Sequence, residues 1–85
     1  GVSMAKIMMY LVPKVEEYDV HIYVYDNSGK LSLSREIKGV KQVVIRSPEV
    51  RISRQLFHEK IAILVESDNP EIELREGLLY IVHKG

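Results

Sequence analysis

The run from Tyr18 to Ile37 (YDVHIYVYDNSGKLSLSREI) constrains this chain more than any other. Its apolar residues recur at every second position on either side of Asp26-Asn27-Ser28-Gly29, so it reads as a β-hairpin. Asp and Asn side chains bond nearby backbone, and Gly tolerates a positive φ, so those four residues carry turn chemistry. A loop of two or four residues centred there sets Val24 opposite Leu31 and Ile22 opposite Leu33. His21, Tyr23 and Tyr25 then share the second face with Ser34, Ser32 and Lys30. A slip of one residue would mix the two faces, so the pattern favours this register.

Other extended segments surround the hairpin. Ala5 to Val12 is almost continuously apolar and reads as a strand buried on both faces, ended by Pro13. Val43-Val44-Ile45, Ile61 to Val65 and Leu78 to Val82 are further core strands, and Glu71 to Leu74 alternates as a half-exposed one. Asp68-Asn69-Pro70 and Glu76-Gly77 read as turns. Ser47-Pro48 is punctuation, followed by extended chain over Val50 to Ser53. A short helical turn could follow around Arg54 to Glu59. The expectation is one all-β domain over residues 4–85, with at most one short helix. Six to seven short strands suggest a small barrel or a two-layer sheet, the barrel first because closure removes unpaired edges. Gly1-Val2-Ser3 ahead of Met4 reads as a cloning remnant or an upstream start.

Composition supports the β assignment and narrows function. Val and Ile supply twenty of 85 residues, whereas Ala occurs twice, and branched aliphatics favour strands. Cysteine is absent, so neither disulfides nor thiolate metal sites can support the small core. No apolar run approaches the ~20 residues that span a bilayer, and no signal-peptide pattern follows Ala5 to Val12. The default compartment is the cytoplasm, with no membrane partner. Net charge is zero, yet residues 30–60 carry a net +5, residues 61–85 a net −3 and the first 29 a net −2. Such segregation fits a bipolar molecule or strands that pair basic against acidic.

The sequence offers little catalytic chemistry. No serine sits in a nucleophile elbow, and no Gly-rich loop could cradle a phosphate. His21, His58 and His83 lie in separate segments without metal-ligand spacing, so neither a metal nor a cofactor is expected.

Two surfaces are better candidates, and both point to nucleic acid. Tyr23 and Tyr25 project from one strand face beside His21, as rings that stack the bases of a single strand would. Arg35, Lys38, Lys41, Arg46, Arg51 and Arg54 could supply the track for its phosphates. Arg46, Arg51 and Arg54 also flank the Ser47-Pro48 break, where a loop could grip phosphates or carboxylates.

Val50-Arg-Ile-Ser-Arg-Gln-Leu56 followed by Lys60-Ile-Ala-Ile-Leu-Val-Glu66 resembles the AbrB-type swapped-hairpin motif and the broader cradle-loop barrels. Ser53 stands where that family has proline, and the Gly-Asp before its second strand is missing. The resemblance implies a DNA-binding regulator or a small-ligand-binding barrel as a further alternative.

The leading expectation is a non-enzymatic binding module, reading nucleic acid through its basic centre. The alternative is a protein-interaction or homodimerisation domain. Few Asn and Gln beside abundant Glu and Lys also resemble the proteins of hot environments. Thermal unfolding followed by circular dichroism should therefore give a midpoint above the ~45–65 °C of mesophile domains. A midpoint within that range would remove the compositional reading.

Overall fold

A computed structural model describes residues 5–47, 49–55, 60–67 and 70–83, with the side chains of Arg54, Gln55, Pro70 and His83 left aside. Among these residues every regular element is a strand: β1 (Ala5–Pro13), β2 (Tyr18–Tyr25), β3 (Leu31–Val40), β4 (Gln42–Arg46), β5 (Glu49–Gln55), β6 (Lys60–Ser67), β7 (Pro70–Arg75) and β8 (Leu78–His83). No helix is present among them that could cross a membrane.

The eight strands form two sheets. The first is antiparallel throughout, in the order β3-β2-β1-β6-β5. The second runs β4-β8-β7, with β4 parallel and β7 antiparallel to β8. The sheets pack as two layers and do not close into the barrel that edge removal favours. Nor does the swapped-hairpin resemblance carry over to a barrel, because β5 and β6 pair as neighbours within the open five-stranded sheet. Arg54 and Gln55 continue β5 as strand, so the helical turn expected from Arg54 to Glu59 does not begin there; residues 56–59 lie outside the described residues, as do Asp68 and Asn69.

The core lies between the layers. Ile7, Met9 and Leu11 from β1, Val20 and Ile22 from β2, and Ile63 and Val65 from β6 meet Leu79 and Ile81 from β8. Ile37 and Val40 from β3 close one side, and all these side chains are buried. Alternation then sends Met8, Tyr10 and Val12 to the opposite face of the large sheet, where they stay half-exposed. The apolar run of β1 is therefore buried on one face, not two. Three strands also cannot cover five: Val50 and Ile52 on β5 share the inner side with Val65 and Ile63, yet Ile52 is 68% exposed.

Neither β1 nor β8 is an edge. β1 lies between β2 and β6, and β8 between β4 and β7. Edge-to-edge pairing of the first and last strands across a two-fold axis is thus closed off, because both sides of each backbone are already hydrogen-bonded.

The hairpin forms, but two residues away from the register read from its pattern. Val24 pairs with Leu33, Ile22 with Arg35 and His21 with Glu36. The turn is longer than expected: Asp26 N–H donates to the Lys30 carbonyl (2.8 Å) and Gly29 N–H to the Asp26 carbonyl (3.0 Å). A bulge then steps the pairing from Tyr25–Leu31 to Val24–Leu33 and leaves Ser32 as the extra residue, its hydroxyl donating to the Val24 carbonyl (3.1 Å). A displacement of two preserves the period of the pleat, so the two faces of β2 stay as read. A second bulge lies between Tyr18–Val40 and Val20–Ile37, near Gly39 at φ 72°.

Two measurements test these local devices. At Gly39 an added Cβ would meet Glu17 Oε2 at 3.2 Å on a backbone that L-residues avoid. Gly39→Ala should cost about 1–2 kcal/mol in denaturant unfolding, the usual left-handed penalty. Asp26 accepts from Ser28 N–H (2.9 Å), the Ser28 hydroxyl (2.6 Å) and Lys30 N–H (2.9 Å). These bonds, the Ser28 hydroxyl foremost, hold its carboxyl below the ordinary aspartate range. A depressed folded pKa contributes stability that is full above the unfolded value and is lost as pH falls through the folded one. Asp26→Ala should therefore destabilise the fold at neutral pH, and its deficit against wild type should shrink below about pH 4.

Candidate interaction surface

The outer face of the five-stranded sheet carries the most distinctive chemistry among the described residues. Register arranges it in rows that cross the strands from β3 to β5. One row reads Leu31, Tyr25, Lys6, Glu66, Glu49; the next reads Ser34, Tyr23, Met8, Leu64, Arg51. The third reads Glu36, His21, Tyr10, Ala62, Ser53, and beyond it lie Asp19, Val12 and Lys60. The middle of this face is aromatic and apolar, and its rim carries both signs of charge.

Tyr10 and Tyr23 are diagonal neighbours on β1 and β2, and their rings meet edge to face, with centroids 6.1 Å apart and planes at 72°. With His21 and Lys60 they line a shallow depression of 310 Å³. A second depression, of 270 Å³, is lined by Met8, Arg51, Ile52, Ser53, Ala62 and Leu64. Tyr10, His21, Tyr23 and Tyr25 are all half-buried, with no strand of the second sheet laid over them. The face is preorganised because β1 and β2 are held by continuous antiparallel pairing from Lys6–Tyr25 to Pro13–Tyr18.

The sequence-derived candidates divide between this face and the rest of the molecule. His21, Tyr23, Tyr25 and Arg51 lie on it. Arg46 stands on the outer side of the small sheet, in register with Val82, and is exposed. Lys38 sits in the bulge of β3 with its ammonium 3.9 Å from Glu36, and Lys41 lies at the β3–β4 corner, where its N–H donates to the Gly77 carbonyl. The Arg54 backbone belongs to β5, and its side chain is outside the description. The basic centre of the sequence is thus distributed over both layers.

Sequence reading missed Met8, Tyr10 and Leu64. A near-continuous apolar run conceals which of its residues face outward until the neighbouring strands are known. The half-polar alternation of β2 (Asp19, His21, Tyr23) was the available signal, since it marks an uncovered face that β1 must share. The two-residue change of register also matters. It sets Glu36, not Ser34, beside His21, and Ser34 beside Tyr23.

Among the described residues no three His, Asp or Glu side chains converge as metal ligands would. His58 and the His83 side chain lie outside the description. Four carboxylates (Asp19, Glu36, Glu49, Glu66) and three cations (Lys6, Arg51, Lys60) rim the aromatic centre. No protein-family model, curated protein or solved structure matches the chain.

Proposed function

We propose that this chain is a non-enzymatic binding module that docks a protein partner on the outer face of its five-stranded sheet. The observation that carries this reading is the composition of the face. Tyr10, Tyr23, Tyr25, Met8 and Leu64 occupy its middle, and mixed charges occupy its rim. Aromatic residues and methionine are enriched at the centres of protein interfaces, whereas single-sign charge is the mark of nucleic-acid surfaces. With acids at least as numerous as cations around the rings, phosphates would meet repulsion on the same surface that stacks bases.

A second reading keeps nucleic acid as the ligand, supported by the Tyr10–Tyr23 pair and the neighbouring Tyr25 on an open sheet. Two titrations separate the readings. Peptides selected against the chain from a random display library should converge on this face and lose about tenfold or more affinity for Tyr23→Ser, roughly 1.4 kcal/mol. Fluorescent single-stranded RNA or DNA should show no binding at low salt. Peptides indifferent to Tyr23→Ser would overturn the protein reading, and nucleic-acid affinity falling steeply with salt would establish the other.

A further inference from the structure

The partner chemistry that this face fits best is its own, and we infer that two copies of the chain pair face to face about a two-fold axis lying across the strands. The inference rests on the reading of the outer face as a docking surface and names its occupant.

Met9, Ile22, Ile52 and Ile63 are register neighbours across four strands, and they mark the level of the axis. Rotation about that line exchanges the rows on either side of it. Met8 then faces the copy's Tyr10, His21 the copy's Tyr23, and Leu64 the copy's Ala62. In the rows beyond, Glu66 faces the copy's Lys60 and Tyr25 the copy's Asp19. Each of these matches occurs twice by symmetry, as an isologous interface requires. Opposed sheets packed at the usual spacing of about 10 Å bring such side chains into reach.

Within one copy, this end of the outer face holds two carboxylates, Glu49 and Glu66, against one cation, Lys6, which stands opposite Glu66 on β1. Glu49 and Glu66 stand directly opposite each other on β5 and β6, a like-charge pair that disfavours the sheet. Lys60 sits at the other end of β6, and none of the three belongs to an ion pair among the described residues. The proposed axis brings a second cation, the copy's Lys60, to this acidic end, and it sets Lys6 against the copy's Val12. The other simple choice, an axis along β1, sets Lys6 against its own copy and Leu31 against Glu49. It does match Asp19 to Lys60, but Asp19 already has Lys14 at 3.9 Å. Charge complementarity thus selects one orientation over the other.

Five strands at their normal spacing, over the length from Lys60 to Glu66, give a footprint of roughly 500 Å² per copy. That is below the ~800 Å² of a standard interface, so the expected dimer is a weak, concentration-dependent one.

Sedimentation equilibrium over roughly 10 µM to 1 mM tests the pairing. Wild type should pass from monomer to dimer in that range. Lys60→Glu and Glu66→Lys should each weaken the dimer about tenfold or more, and the double exchange should restore it. Circular dichroism of each variant confirms that the fold is retained. A wild-type chain that stays monomeric throughout, or a dimer that ignores both charge reversals, would overturn self-pairing. In either case peptides that still converge on Tyr23 would leave the docking reading standing, and peptides that land elsewhere would remove it as well.

Discussion

The molecule depends on the two-sided pairing of β1. Its backbone is hydrogen-bonded to β2 along one edge and to β6 along the other, so it can neither slip nor rotate. Ile7, Met9 and Leu11 are thereby held in the core, and Met8, Tyr10 and Val12 are held out of it. Every outward row of the large sheet is aligned through this strand. The aromatic centre is a consequence of that alignment, since Tyr10 and Tyr23 come from different strands and meet only because Met8 pairs with Tyr23.

The imbalance between the layers shapes the surface. A three-stranded sheet lies on a five-stranded one, and Leu79 and Ile81 bury the middle of the larger sheet. Apolar side chains on β5 are left partly in water on the inner side, and the entire outer side has no second layer among the described residues. An uncovered face containing Met8, Tyr10, Tyr23 and Leu64 is apolar surface still available for burial.

Much of the fold was legible in side-chain alternation. The Tyr18–Ile37 hairpin, its Asp26–Gly29 turn and the inward set Val20, Ile22 and Val24 follow from a period of two and from turn chemistry. The register did not follow, because bulges are set by how strands meet and leave no mark in the hydrophobic pattern. Ser32 looks like any strand residue, yet as the extra residue it places Glu36 beside His21. Closure into a barrel was likewise undecidable locally, since it depends on whether β3 and β5 find partners.

The candidate surface shows the same division. By itself, the sequence determined that the chain is all-β and that His21, Tyr23 and Tyr25 share one face of β2, because alternation is a local property of extended backbone. It could not determine that Tyr10, Met8 and Leu64 join them while Lys38, Lys41 and Arg46 do not. Neighbours across a sheet are distant along the chain, so only the strand order and register of the folded molecule decide which residues meet.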